Sequence, residues 1–243
     1  MKGFVHSFES LAAVDGEGLR CAVFLAGCPL RCAYCHNPDT WERACGKETD
    51  GEALVRKIAR YQPYFGEDGG VTFSGGEPLV QAEFIRSMMP LLAEKGIRYS
   101  IDTSGGVPLS DTVKEVLAGA QSVLLDLKFP DDEGYRTYTG RGIGDTLAML
   151  DYLNAIGKKT CIRTVIVPDL NDREEILEKY LACLKGMTCV DRYQLLGFHT
   201  MGFFKYENLG LENPFADKKP LDPAVKQRLQ TFVDEKIKEN RHP

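Results

Sequence analysis

The chain has 243 residues, 43% hydrophobic and 27% charged, with a formal net charge of -5. That length and balance suit a globular protein with a substantial core and exclude a disordered chain, while the acidic charge argues against bulk attraction to a nucleic-acid backbone. No run of about eighteen apolar residues and no signal-peptide pattern occurs, so the expected location is cytoplasmic, with no membrane association.

After an extended start, residues 19–25 read as a strand, and the amphipathic spacing of Leu54, Ile58 and Tyr61 predicts a helix over 50–61. The alternation continues with a strand over 71–73 and a helix over 81–95. A strand over 99–102, a helix over 111–117 and a strand over 122–126 follow. The remaining expectations are helices over 144–155 and 172–184, strands over 160–165 and 191–196, and a closing helix over 223–238. About six strand-helix units imply a parallel sheet of α/β class, barrel-like or open, with ligands gathered at the C-terminal strand ends. No repeat or linker interrupts the chain, so a single domain over 1–243 is expected.

Three of the eight cysteines, Cys28, Cys32 and Cys35, lie in C-x3-C-x2-C spacing after the first of these strands, and the other five are scattered. Thiolates so grouped suit zinc or iron and sulfur. Structural zinc closes its shell with four ligands, and His36 is poorly placed as the fourth because it adjoins Cys35. Three thiolates suit a cubane cluster that leaves one iron open for a substrate. A zinc-binding regulatory module stays open as the alternative at this point.

The segment Cys28-Pro29-Leu30-Arg31-Cys32-Ala33-Tyr34-Cys35 resembles the signature of the radical S-adenosylmethionine superfamily, with Tyr34 as its aromatic residue. Gly75-Gly76-Glu77 resembles that superfamily's GGE element. Further stretches are similar to the activating enzymes of glycyl radical enzymes, and among them to those acting on pyruvate formate-lyase: 6–10, 14–16, 34–41, 125–128, 162–163 and 195–199. No ferredoxin-like insertion follows the first motif. Glu17 and Pro78 depart from the residues usual at their positions, which bears on the choice of partner.

The resemblance implies a partial (β/α)6 TIM-like barrel, one 4Fe-4S cluster on Cys28, Cys32 and Cys35, and S-adenosylmethionine on the open iron. It implies cofactor contacts from Tyr34, Cys35, His36, Gly76, Asp102, Asp126, Leu127, Lys128, Arg163 and His199. Asp126 would face the ribose, Lys128 the carboxylate and His199 the nucleoside. Gly75 and Gly76 would let the ligand approach closely, while Glu77 orients the turn. Asp102, Thr103 and the Leu124 carbonyl are the implied site for a monovalent cation. The implied partners are pyruvate formate-lyase, through its glycine loop, and a low-potential electron donor such as flavodoxin or ferredoxin. Activation of a different glycyl radical enzyme is the nearest alternative.

Overall fold

The computed structural model describes residues 1–241. It divides into two compact units, Met1–Pro29 with Asn37–Leu124, and Leu30–His36 with the chain from Leu125 on.

In the first unit, β1 (Lys2–Ala12) and β2 (Arg20–Leu25) form an antiparallel pair, with Val5 opposite Leu25 and Ala12 opposite Arg20. The short β3 (Lys47–Asp50) pairs antiparallel with the other edge of β1. Parallel to β2 runs β4 (Gly70–Gly75), and parallel to β4 runs β5 (Tyr99–Thr103). Five of the six β2 side chains belong to buried residues with little solvent-facing alternation, as expected for a strand covered on both faces. The helices are α1 (Gly51–Ala59), α2 (Ala82–Glu94) and α3 (Asp111–Gly119). Asp50 and Ser110 start α1 and α3 by accepting from the N–H groups of Ala53 and Val113, which satisfies donors a helix start leaves unpaired.

Arg20 is wholly buried at the start of β2, where it organises the loop between β1 and β2. Its guanidinium donates to Thr72 Oγ1 at 2.8 Å, to the Glu17 carbonyl at 2.5 Å and to Ser100 Oγ at 2.9 Å. Burial, with Arg98 nearby, lowers its pKa to about 10, so it remains charged at neutral pH. The glycine-rich loop it holds precedes β2, whereas Cys28 follows the strand's other end.

β6 (Ser122–Asp126) leads into the second unit, which contains β7 (Thr160–Ile166) and β8 (Val190–Gly197), paired in parallel. Its helices are α4 (Asp132–Thr139), α5 (Gly144–Ala155), α6 (Glu174–Cys183), α7 (Phe203–Leu209) and α8 (Pro223–Arg241). Within the first unit the hydrogen-bonded strand order is β3-β1-β2-β4-β5, and within the second β7 lies beside β8, so the fold is of mixed α/β class.

The alternating pattern therefore predicts the main elements correctly, but four are not legible in it. β1 reads only as extended chain. β3, with the sequence KETD, has no apolar face and exists through its edge pairing with β1. α4 carries Gly and two Thr in eight residues, and α7 has only seven. β6 ends at Asp126, so Lys128 lies beyond the strand and period-two alternation does not set its direction. Among the described residues, no helix is long and apolar enough to cross a membrane.

Candidate active site

At the C-terminal ends of β2 and β4, main-chain contacts leave no room for side chains. Gly27, at φ +99°, donates its N–H to the Thr40 carbonyl at 2.8 Å, and Cys28 N donates to the Trp41 carbonyl at 3.0 Å. Gly76 N donates to Leu25 O at 3.0 Å, and Glu77 N to Gly27 O at 2.8 Å. A Cβ at Gly76 would lie 2.5 Å from Gly27 O and 2.9 Å from Thr40 O, while one at Gly75 would overlap the Leu25 main chain. These glycines thus admit the neighbouring main chain, a reason for glycine that needs no ligand.

Glu77 is completely buried and accepts four hydrogen bonds: from Leu79 N at 3.0 Å, Thr103 Oγ1 at 2.7 Å, Ser104 N at 2.8 Å and Ser104 Oγ at 2.6 Å. Burial pushes its carboxyl up and the four donors oppose that shift. Glu77 consequently orients the turn after β4 and ties it to the end of β5. The Thr103 hydroxyl spends its proton on Glu77 and also accepts from Gly105 N at 3.0 Å. Asp102 Oδ2 accepts from Ser74 Oγ at 2.8 Å, and Leu124 is buried within β6.

In the second unit, the rest of the cysteine loop is held by main-chain bonds. Arg31 N and Ala33 N each donate at 2.8 Å, to Thr139 O and Tyr138 O, and Cys35 N closes a turn onto Cys32 O at 3.0 Å. Tyr206, on α7, donates its phenol proton to Cys35 O at 3.0 Å. The Tyr34 ring is buried between Phe129 and Phe215, each with its centroid at 6.3 Å, so this aromatic residue seats the loop on the core. Cys28, Cys32 and Cys35 are all half-buried and outside any disulfide.

Beyond the cysteines, Asp126 lies between two cations. Lys128 Nζ is 2.7 Å from its Oδ2 and Arg163 Nε 2.9 Å from its Oδ1, with all three side chains between 10 and 17% exposed. Burial alone would raise the Asp126 carboxyl, but Arg163 and Lys128 outweigh it and hold it below its ordinary value. Burial opposes the charge on Lys128, yet Asp126 and the Cys32 thiolate together raise its pKa above the usual lysine range. Cys32 is thereby within electrostatic reach of Lys128. The main chain of Leu127 contributes a 2.9 Å bond from its N–H to the Arg163 carbonyl.

His36 and His199 stack with centroids 3.7 Å apart and planes 12° apart, and His36 Nε2 is 3.0 Å from the His199 carbonyl. Burial, then the neighbouring His199, lowers the His36 pKa to about 4, and burial lowers that of His199, so both rings are neutral at pH 7. His199 Nδ1 is buried without a hydrogen-bond partner among the described residues. A buried ring nitrogen left without a partner is able to accept one hydrogen bond from, or donate one to, a ligand polar group. The soft thiolate set and this nitrogen fit an iron-sulfur cluster and a nucleoside respectively.

The second unit thus brings together Cys32, Cys35, His36, Asp126, Lys128, Arg163 and His199. The first places Cys28, Gly76, Asp102 and Thr103 at or near strand ends, and Leu124 in the middle of β6. Sequence patterns miss Tyr135, Tyr180 and Thr164, which bond the main chain at Leu127 and Lys128. Tyrosines at helical spacing carry the same signal as any core aromatic.

The Radical SAM superfamily profile matches residues 23–180. The chain is 43% identical over 235 residues to the pyruvate formate-lyase-activating enzyme of Clostridium pasteurianum, covering 96% of this chain and 98% of that one. It is 38% identical over 229 residues to the enzyme of the same name from Streptococcus mutans, covering 91% and 87%. Among solved structures, Streptococcus suis SuiB bound to its precursor peptide SuiA superposes with a TM-score of 0.71 at 18% identity, over 97% of this chain and 48% of that one, a likeness of fold alone. By both the profile and these near full-length relatives, the chain belongs to the radical SAM superfamily and, within it, to the family of pyruvate formate-lyase-activating enzymes.

Proposed function

We propose that this protein activates pyruvate formate-lyase by installing a radical on one backbone glycine of that partner. The observation that carries the reading is the match to relatives bearing that activity in their name, 43% identical over 96% of this chain. The zinc-module alternative loses its footing with membership of a family that implies a 4Fe-4S cluster and S-adenosylmethionine.

Cys28, Cys32 and Cys35 would hold the cluster through three thiolates, leaving one iron for the amine and carboxylate of S-adenosylmethionine. When bound, the cluster supplies one electron that cleaves S-adenosylmethionine to methionine and a 5'-deoxyadenosyl radical, which takes hydrogen from the partner's glycine.

The chain's own groups bind and orient. The carbonyl of Gly76 accepts from the methionyl amine, while Glu77 keeps that turn rigid. Lys128 meets the cofactor carboxylate, and Asp126 accepts from the ribose while balancing Lys128 and Arg163. Neutral His36 and His199 contact the nucleoside, His199 through its unpartnered Nδ1, and the main chain of Tyr34, Cys35 and Leu127 lines the same ligand. Asp102, with main-chain oxygens of Thr103 and Leu124, offers hard ligands for a monovalent cation. A low-potential flavodoxin or ferredoxin is the proposed electron donor. The whole chain acts as one catalytic domain without a second cluster.

The test mixes reconstituted, reduced protein with S-adenosylmethionine and pyruvate formate-lyase without oxygen and records the paramagnetic resonance spectrum. A glycyl doublet accompanied by 5'-deoxyadenosine is expected. Deoxyadenosine without a doublet, when another glycyl radical enzyme does yield one, would leave the chemistry standing and replace the partner.

A further inference from the structure

Beyond Asp126 the strand has ended, yet the next two residues keep every main-chain polar group partnered. Leu127 N donates to Arg163 O at 2.9 Å, and Leu127 O accepts from Thr164 Oγ1 at 2.8 Å. Lys128 N donates to the Tyr135 phenol oxygen at 3.0 Å, and Lys128 O accepts from the Tyr180 phenol at 2.9 Å. Three hydroxyls, joined by the Tyr34 phenol at a longer 3.5 Å from Lys128 O, therefore do here what a neighbouring strand does elsewhere in a sheet.

Those hydroxyls are themselves fixed. Tyr135, Tyr180 and Thr164 are at most 1% exposed. The Tyr180 oxygen accepts from Asn171 Nδ2 at 3.2 Å, and Asn171 Oδ1 accepts from Val167 N at 2.7 Å. Thr164 Oγ1 lies 2.9 Å from the Tyr193 phenol. Burial pushes the Tyr135 phenol up to about 12 and raises Tyr180 too, so both are neutral at working pH. A lysine on a loop would otherwise sweep its four-carbon stem through many rotamers. Pinning the Lys128 main chain on both sides, with Asp126 at the ammonium, leaves that stem little freedom.

We propose that Tyr135 and Tyr180 are positioning residues, clamping the Lys128 main chain so that its ammonium is presented to the carboxylate of S-adenosylmethionine. The inference rests on the proposed contact between Lys128 and that carboxylate.

Tyr180→Phe and Tyr135→Phe each keep the ring and delete one hydroxyl. In the reconstituted holoenzyme, calorimetry should show S-adenosylmethionine binding weakened about tenfold, near the worth of one hydrogen bond, with iron per chain unchanged. Binding of 5'-methylthioadenosine, which lacks the methionyl carboxylate, should not change. Lys128→Ala combined with Tyr180→Phe should bind no worse than Lys128→Ala alone, since the hydroxyl acts through the lysine. Additive losses, or equal losses for both ligands, would show a general packing role and overturn the inference. If Tyr180→Phe loses iron, Tyr135→Phe in the same cycle decides. Unchanged affinity in Lys128→Ala would overturn the contact itself and the inference with it. Unchanged affinity in both phenylalanine variants beside a weakened Lys128→Ala overturns the inference alone.

Discussion

Asp126 and Lys128 meet at 2.7 Å although the strand that carries Asp126 stops there, and Arg163 takes the other carboxylate oxygen at 2.9 Å. Removing the carboxylate would leave two mostly buried cations facing each other. Asp126→Ala is expected to cost about 3 kcal/mol of stability, the scale for orphaning buried charge. S-adenosylmethionine affinity should fall at least about tenfold, about the worth of one hydrogen bond to a charged group, while iron content stays intact. Denaturant unfolding and ligand-induced changes in the reduced-cluster spectrum measure the two effects.

The same pair sets a pH dependence. Arg163 and Lys128 overcome burial and hold the Asp126 carboxyl below its ordinary value of 3.8, so folding favours the ionised form. Its contribution is full above that unfolded-state value and is lost as pH falls through the lower folded value. The stability difference between the natural chain and Asp126→Asn should therefore be constant from pH 5 to 7 and shrink below about pH 4. A difference that grows on acidification would contradict the assignment.

Cysteine substitutions should separate by position. Cys28→Ala, Cys32→Ala or Cys35→Ala is expected to abolish 5'-deoxyadenosine formation, because each removes one of the three proposed cluster ligands. Cys183, whose thiol hydrogen-bonds the carbonyls of Pro130 and Lys179 at 3.3 and 3.5 Å, should tolerate alanine with most activity retained. Full activity in any of the three motif variants would sink the cluster assignment.

Glycines should separate by the space beside them. Gly76→Ala would force a methyl group to 2.5 Å from Gly27 O and should cost at least about 2 kcal/mol, since only main chain can yield. Gly144, at the start of α5, has nothing within 4 Å of where a methyl group would sit and an ordinary φ, so Gly144→Ala should be neutral or stabilise by up to about 1 kcal/mol. Thermal unfolding of the two variants under identical loading compares them.

Glu77 offers a sharper test of the turn. Glu77→Ala would strand four buried donors from Leu79, Thr103 and Ser104, and a loss of about 3 kcal/mol or failure to retain iron is expected. Glu77→Gln keeps the shape but replaces one acceptor oxygen with an amide donor, so it should fall between. Wild-type stability in Glu77→Ala would remove its orienting role.

Local spacing sufficed to propose Cys28, Cys32 and Cys35 as the cluster ligands, because all three thiols fall within one short loop of the sequence. It also sufficed for most strands and helices, whose apolar period is a property of a few consecutive residues. It could not show β3, whose four polar residues become a strand only against β1, nor that Gly75 and Gly76 make room for main chain from β2. Nor could it show what holds Lys128: the phenols on either side of its peptide lie 7 and 52 residues away, on α4 and α6. Contacts between such distant residues depend on how the helices pack, and nothing in the local pattern of a buried tyrosine says which carbonyl its hydroxyl will reach.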